Sequence, residues 1–360
     1  MVTVWRGASV RTAPQTREGQ VIRSRRSTLD DVAELAQVSA ITVSRALRKP
    51  EMVSAELRKR IDAAVHKLAF VPNFAASRLA LARSHSVGVI VSSLSNGIFA
   101  DYLGGLYDTL LKAGFQVVVL SSRYSAEEEE KAIKTLLGQQ IEALIVAGID
   151  QTPHARRLLQ RSGVPVVQTF ELADDPIDIN VGLSQRQAGY EATRFLLGLG
   201  HRRVGFIAGQ LDARATARFT GYRQATKEAG INSEKLSLTY SQPSTVTLGG
   251  RMLSELLAKS GGLDALFCCD DNLALGALFE CQRRGIRVPG AMSILGFNDL
   301  EFAVSAEPSL SSVATPRYEM GRIAAEMVMK VIATGKRPRQ RKVDVGFTIR
   351  ARASTARASA

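Results

Sequence analysis

The stretch TLDDVAELAQVSAITVSRALRK, residues 28–49, decides the organisation of this chain. Its first half repeats apolar residues at the spacing of one buried helical face, namely Leu29, Val32, Ala33 and Ala36. Residues 37–39 then supply a turn, and Ser39 can cap a second helix that buries Val43 and Leu47. The pattern predicts a helix-turn-helix, the arrangement that places its second helix in the major groove of DNA.

The outward face of the second helix carries small, polar and basic side chains. They are Ala40, Ile41, Ser44, Arg45 and Arg48. Side chains of these kinds can contact base edges and phosphates in the groove. An ordinary helical hairpin would show the same pattern, but the residues that follow argue against it.

A third helix and a weakly helical segment come next. Residues 54–68 carry one apolar stripe, and Ser54 can cap this helix. Pro72 ends the helical region, and Asn73 is a turn former. Residues 75–82 are small and form too short a helix to be stable without a partner. Such a segment can be disordered when free and helical when bound to DNA.

Four motifs in this region have a specific spacing. They are Thr28-Leu29-x-Asp31-Val32-Ala33, Val38-Ser39-x-x-Thr42-Val43-Ser44-Arg45-Ala46-Leu47, Val53-Ser54 and Phe70-Val71-Pro72-Asn73. Together they resemble the LacI family of bacterial transcription repressors. The resemblance continues to the C-terminus, so it covers nearly all of the chain beyond residue 27.

The resemblance implies a DNA-binding domain over residues 28–72 and a hinge over 73–83. It also implies a homodimer that presents two groove-reading helices to a palindromic operator. The residues expected to contact DNA are Thr28, Ser39, Ala40, Ile41, Thr42, Ser44, Arg45 and Arg48 in the helix-turn-helix, and Asn73, Ala76 and Leu79 in the hinge. Leu79 aligns with the hinge leucine of the family, which wedges a central base step and kinks the duplex.

Composition bounds the class of protein. The chain has 360 residues, 45% of them hydrophobic, which suits two or three domains with a large core. There is no run of about 18 apolar residues and no apolar signal core at the start, so we expect a cytoplasmic protein without membrane contact. Cys268, Cys269 and Cys281 lack metal-ligand spacing, so we expect reduced thiols and neither a metal nor another cofactor.

The net charge of +13 is concentrated at the two ends of the chain. Residues 1–83 carry 15 basic and 7 acidic residues, and residues 336–360 carry 8 and 1. An excess of basic residues at the DNA-binding end is expected, because each phosphate contact releases counterions. Residues 1–27 hold six arginines and little apolar periodicity, and we interpret them as a disordered basic extension.

Residues 84–335 alternate continuous apolar strands with helices, the pattern of doubly wound parallel sheets. Three motifs resemble the type I periplasmic-binding-protein fold of the family's effector core: Gly200-His201-Arg202-x-x-x-Phe206-Ile207-x-Gly209, Phe267-x-x-Asp270-Asp271 and Pro289-x-x-x-Ser293-Ile294-x-Gly296-Phe297. The expected fold is therefore an α/β core of two lobes beside an all-α domain.

The expected domain boundaries follow from this fold. We place lobe 1 at about 84–183 plus 308–332 and lobe 2 at about 184–307 plus 333–350. The chain is expected to cross between the lobes near 183, 307 and 333 and to end in a tail at 351–360.

Loops that follow the strands are the candidates for a small-molecule site, because open α/β sheets bind ligands at the carboxyl ends of their strands. Arg214 and Arg218 are spaced to face the same way on one helix and suit a clamp on a carboxylate, although a solvated helix face is the alternative. Asp270 is expected to bond sugar hydroxyls, whereas Asp271 is expected to be a helix N-cap. The predicted effector site consists of Ile98, Phe99, Phe170, Arg214, Thr216, Arg218, Asp270 and Asn298, with Ile98 and Phe99 as its apolar floor.

Within the family, the likeness is strongest to the gluconate-utilisation repressors, through Gly276-Ala277-x-Phe279-Glu280-Cys281-Gln282-Arg283 and residues 307–317. It implies gluconate, a ketogluconate or a phosphorylated form as the effector, with a neutral sugar or another metabolite as the alternative. A secreted sugar-binding protein would explain only the core. An α/β enzyme would need a nucleophile elbow, a phosphate loop or a GxGxxG after a strand, and none is present. We therefore predict a DNA-binding regulator and not an enzyme.

Overall fold

The computed structural model describes residues 27–71 and 84–358, which belong to two separate compact units. The predicted extension before residue 27 and the predicted hinge, with Asn73, Ala76 and Leu79, lie outside the described residues. The first unit contains the helices α1 Leu29–Ala36, α2 Ala40–Arg48 and α3 Ala55–Lys67, with a 3₁₀ turn at Pro50–Met52.

Side-chain caps define the start of each helix in this first unit. Thr28 and Asp31 form a reciprocal capping box at α1, and Ser39 accepts a hydrogen bond from the Thr42 amide at α2. Ser54 does the same for α3. The three helices enclose a small core that includes Val32, Ala33, Ala36, Val43, Ala46, Ile61, Ala64 and Phe70. The predicted helix-turn-helix and its third helix are thereby confirmed.

The second unit alternates strands and helices. Its strands are β1 Ser86–Val91, β2 Gln116–Ser121, β3 Ala143–Ala147, β4 Val166–Glu171, β5 Ile179–Leu183, β6 Val204–Ala208, β7 Ser237–Thr239, β8 Ala265–Cys268, β9 Ser293–Asn298, β10 Ser311–Ala314, β11 Lys342–Asp344 and β12 Thr348–Arg350. Its helices are α4 Ile98–Lys112, α5 Ala126–Gly138, α6 Pro153–Arg161, α7 Gln185–Gly198, α8 Ala213–Glu228, α9 Val246–Ser260, α10 Asp271–Arg283, α11 Phe302–Ser305 and α12 Arg317–Thr334.

Within residues 84–358 these strands form two six-stranded sheets, one in each lobe. The first has the order β11-β5-β4-β3-β1-β2 and the second β12-β10-β9-β8-β6-β7. All neighbouring strands run parallel except β12, which is antiparallel to β10. Helices cover both sheets, and the residues of their central strands are fully buried, as a parallel sheet requires. The predicted fold class, two doubly wound lobes with an all-α helix-turn-helix domain, is confirmed.

The chain crosses between the lobes three times, and two of these crossings lie at positions other than those expected. The first crossing follows β5 at Leu183, as expected. The second follows β10, which pairs with β9 of lobe 2, so the expected crossing near 307 is wrong. The third lies between β11 in the first sheet and β12 in the second, so the expected crossing near 333 is also wrong. The expected boundaries missed these short strands, because apolar periodicity over three or four residues is too brief to be read.

Candidate functional site

The outward face of α2 is the candidate surface for reading DNA. Ile41 is 71% exposed and Arg45 is also exposed, whereas Ala40 packs partly against the core of the unit. Thr42 and Ser44 are half-buried. Ser39 and Thr42 share a hydroxyl–hydroxyl hydrogen bond of 2.8 Å beside the cap of the helix. Thr28 caps α1, and the side chain of Arg48 lies outside the described atoms.

A cleft between the two lobes holds the candidate effector site. It contains two adjoining cavities of about 130 and 40 Å³, which share Tyr124, Asp212 and Arg214 in their walls. The smaller one, which we call the arginine cavity, is lined by Asn96, Ile98, Tyr124, Phe170, Gln185, Gly209, Gln210, Asp212, Arg214, Ala215, Arg218, Ser244, Cys269, Asp270 and Asn298. Loops at the carboxyl ends of strands from both sheets supply these residues, as expected for open α/β folds.

Arg218 is a buried cation held by neutral groups. Its Nη1 donates to Gln185 Oε1 at 2.6 Å, its Nε donates to Cys269 Sγ at 3.2 Å, and its guanidinium carbon lies 4.3 Å from the centre of the Phe297 ring. The side chain is only 9% exposed, and within the described residues it forms no ion pair with a carboxylate. Asp212, Asp270 and Glu171 interact with Arg218 only at longer range than an ion pair. A buried cation without a directly bonded carboxylate favours an anionic ligand at this position.

Arg214, one turn earlier on α8, has a different electrostatic environment. Its Nη2 and Nε donate to Asp212 Oδ2 at 2.7 and 3.1 Å, and Nη2 also reaches Ser92 Oγ at 3.3 Å. Its Nη1 is buried and has no hydrogen-bond partner among the described residues. Burial raises the pKa of Asp212, but Arg214 and Arg218 outweigh this effect and hold the pKa below its usual value. Asp212 therefore stays ionised and neutralises Arg214.

The two neighbouring aspartates at the start of α10 differ in part from their expected roles. Asp270 is the N-cap, since its Oδ1 accepts from the Leu273 amide at 3.1 Å, and it also lines the arginine cavity. The expectation that Asp271 is the cap is wrong. Asp271 is completely buried and accepts from the Leu300 amide and the Ser312 hydroxyl at 2.7 and 2.6 Å. Burial raises its pKa to about 7, and its place is structural.

Aromatic and aliphatic side chains form the apolar wall of the site. Ile98 and Phe170 line the arginine cavity, and Phe99 packs edge-on against Phe170 beneath them, with ring centres 5.2 Å apart. Asn298 also lines the cavity and is 8% exposed. Thr216 is exposed and lines neither cavity, so its assignment to the site is wrong. Two residues advance a helix by roughly 200°, which turns Thr216 away from the face of Arg214.

Several residues of the cleft were not predicted. Tyr124 accepts a hydrogen bond of 3.1 Å from Asn96, and burial raises its pKa. Gln185 bridges Arg218 and the Phe170 carbonyl oxygen, to which it donates at 2.8 Å. It follows β5, a strand that the apolar pattern did not reveal. Tyr124 stands in the loop after β2, so the rule that ligands bind after strands could have included it.

Comparison with known proteins decides the family. Residues 28–73 match the bacterial regulatory proteins of the lacI family, and residues 193–355 match a periplasmic binding protein-like domain. The HTH-type transcriptional regulator GntR of Pseudomonas aeruginosa is 42% identical over 331 residues, which are 92% of this chain and 96% of that protein. The chain belongs to the LacI family.

Other relatives support the same membership. The HTH-type transcriptional regulator GntR of Escherichia coli K12 is 35% identical over 328 residues, covering 91% of this chain and 98% of that protein. The crystal structure of a LacI-family regulator from Silicibacter pomeroyi matches with a TM-score of 0.86 at 34% identity, covering 92% of this chain and 100% of that one. Like these relatives, the LacI-family protein described here is a DNA-binding transcriptional regulator and not an enzyme.

LacI-family membership also fixes the kinds of partner. Regulators of this family bind operator DNA, dimerise and bind small-molecule effectors. In residues 27–71 and 84–358 no helix combines the length and apolar character needed to cross a bilayer. The same residues hold no cluster of His, Cys, Asp and Glu side chains arranged to bind a metal ion.

Proposed function

We propose that the protein is a repressor of sugar-acid catabolism genes and that a small sugar acid bound in the cleft controls its operator affinity. The observation that carries the proposal is Arg218, a buried cation that forms no ion pair within the described residues, in a cavity rich in hydroxyl-binding groups. The likeness in sequence to gluconate-utilisation repressors supports gluconate or a ketogluconate.

Each part of a sugar acid has a counterpart in the arginine cavity. The carboxylate is assigned to Arg218, which suits it because a guanidinium can donate two parallel hydrogen bonds to one carboxylate. Asp270, Asn298 and Gln185 bond the hydroxyls, and Ile98 and Phe170 contact the carbon chain. A charged group, several polar groups and an apolar wall are the usual composition of a selective small-molecule site.

Control of DNA binding follows from the position of the site between lobes. Contacts from both lobes make the ligand bind the closed cleft more tightly than the open one, and that difference is the free energy available to change operator affinity. We assign Thr28, Ser39, Ala40, Ile41, Thr42, Ser44, Arg45 and Arg48 to the DNA contact surface, and the protein to the cytoplasm, where its operator lies.

Isothermal titration calorimetry on the full chain tests this proposal. We expect binding of gluconate or 2-ketogluconate and much weaker binding of glucose, which has the hydroxyls without the carboxylate. Operator affinity, measured by fluorescence anisotropy, should change when the bound acid is added. Equal affinities for gluconate and glucose would assign the site to a neutral sugar, and the absence of binding to all three would refute the ligand class.

Ile41→Gln is expected to change the base preference of the regulator. Ile41 is the most exposed apolar side chain of α2, so we assign it a contact with a thymine methyl group in the major groove. Losing such a contact and adding an amide should cost about 1–3 kcal/mol on the original operator. Selection from a random operator library should return a different base at one position of each half-site. Leu35→Gln on α1, which also replaces an exposed apolar residue, is the control, and an unchanged selection with Ile41→Gln would overturn the assignment.

A further inference from the structure

The larger cavity of the cleft, which we call the acidic chamber, lies beside the arginine cavity. Its volume is about 130 Å³, and its walls include Glu129, Asp150, Asp212, Arg214 and Tyr124. Hydroxyls of Ser92, Ser122 and Ser125 complete its polar lining. A ligand whose carboxylate is bound at Arg218 can therefore extend past Arg214 into this chamber.

The charges of the acidic chamber do not cancel. Asp212 is paired with Arg214 at 2.7 Å, which leaves Glu129 and Asp150 as the remaining carboxyl groups in the wall. Neither of these two forms an ion pair with a basic residue in the described part of the chain. The chamber thus differs from the arginine cavity, whose wall contains Arg214 and Arg218 beside Asp212 and Asp270.

The hydrogen-bonding of Arg214 independently indicates that a ligand extends into the acidic chamber. Its side chain is 7% exposed and lines both cavities, and its buried Nη1 has no acceptor within the described residues. A buried donor without an acceptor is costly, so an oxygen atom is expected beside it. A hydroxyl group satisfies both sides of the chamber, because it can accept from Arg214 and donate to Glu129 or Asp150. A carboxylate or phosphate can only accept, and it would be repelled by the two acidic side chains.

We propose, on the basis of the proposed function, that the acidic chamber receives the uncharged hydroxyl end of the effector and excludes a ligand with a second anionic group. The regulator then responds to a monoanionic sugar acid and rejects its diacid and its phosphorylated form. Like-charge repulsion in a partly buried site weakens binding enough to separate ligands that share the rest of their structure.

The ionisation of Glu129 provides a second readout of the same arrangement. Burial and, to a smaller extent, the charge of Asp150 together raise the pKa of Glu129 to about 7, against the opposing effect of a hydrogen bond with Gln151. Glu130 on the same helix also faces Glu129, and Tyr124, Asp212 and Arg214 line the same chamber. Below pH 7 Glu129 is increasingly protonated, so the chamber becomes less negative and its exclusion of anions weakens.

Calorimetry with three probes tests the proposal: gluconate, its diacid glucarate, and 6-phosphogluconate. At pH 8 we expect the wild-type chain to bind gluconate at least about tenfold more tightly than glucarate or 6-phosphogluconate, each of which carries a second anionic group. The double variant Glu129→Gln/Asp150→Asn should reduce this ratio by about tenfold. Glu127→Gln, an exposed position on the same helix whose side chain pairs with Lys131, is the matched control and should keep the wild-type ratio.

Ligand affinities of the wild-type chain measured over a range of pH test the same proposal without relying on the fold of a variant. Both carboxylates of glucarate stay ionised between pH 6 and 8. We expect glucarate affinity to rise relative to gluconate affinity as the pH falls from 8 to 6, and Glu129→Gln to abolish that rise. Equal affinities for gluconate and glucarate at pH 8, or a ratio that the double variant leaves unchanged, would overturn the exclusion. If none of the three probes binds, the proposed function itself fails.

Discussion

Arg218→Ala is expected to weaken binding of the sugar acid by about 2–5 kcal/mol, because the ligand carboxylate would lose its counter-charge in a buried site. The side chain is held by Gln185, Cys269 and the Phe297 ring, so the guanidinium is positioned before the ligand arrives. Ligand-dependent change of operator affinity should disappear at ordinary metabolite concentrations. Calorimetry with gluconate and operator binding with and without gluconate measure the two effects.

Three further variants test whether the charge of Arg218 itself is required. Arg223→Ala removes an exposed arginine from the same helix and should bind gluconate like the wild type. Arg218→Lys keeps the positive charge but loses the paired donors, so its affinity should fall between those of the wild type and Arg218→Ala. Arg214→Ala should weaken binding less than Arg218→Ala, since Arg214 is already paired with Asp212. Wild-type affinity in Arg218→Ala would remove this residue from the effector site.

Gly189→Ala is expected to destabilise the second lobe by at least about 1–3 kcal/mol. A Cβ atom at Gly189 on α7 would lie 2.3 Å from the carbonyl oxygen and 2.7 Å from the Cα of Arg218 on α8. Both atoms belong to backbone, so one helix must move and neither can adjust by changing a rotamer. Urea denaturation should show a lower midpoint, and the displacement of Arg218 should also weaken gluconate binding.

Gly198→Ala is the matched control for this prediction. It makes the same substitution at the last residue of the same helix, where a Cβ atom would meet nothing within 4 Å. Alanine at an unstrained helical position reduces the entropy of the unfolded chain, so we expect a free energy of unfolding that is unchanged or higher by about 0.4–1 kcal/mol. Equal midpoints for the two variants would show that α7 and α8 tolerate a wider spacing.

Local sequence patterns predicted the N-terminal domain almost completely. The apolar face of α1, the turn, and the caps at Thr28, Ser39 and Ser54 are all properties of residues within four positions of one another. The outward position of Ile41 follows from the same helical period. Ala40 is partly buried against the core instead of fully outward, and this depends on the angle at which α2 packs.

The cleft was predicted in part. The spacing of Arg214 and Arg218 placed both on one buried face of α8, and the Asp270 side chain lies in the cavity as expected. The sequence could not predict which arginine pairs with Asp212, because that depends on the backbone conformation at the start of α8. The position of the cap at Asp270 instead of Asp271 has a similar origin, since the cap depends on the residue at which the helix begins.

Helical faces, caps and buried strands depend on short-range sequence patterns, so the sequence alone predicts a helix-turn-helix domain and a two-lobed α/β core. The role as a regulator came from the motifs that resemble the LacI family. The tertiary structure decided where the chain crosses between lobes and which side chains share a cavity. Tyr124, Gln185, Ser244 and Asn298 are separated by about 50 residues or more along the chain, and strand order alone brings them together. The acidic chamber likewise exists because α5 and the loop after β3 carry Glu129 and Asp150 to one wall of the cleft, beside the Arg214 that α8 contributes from the other lobe.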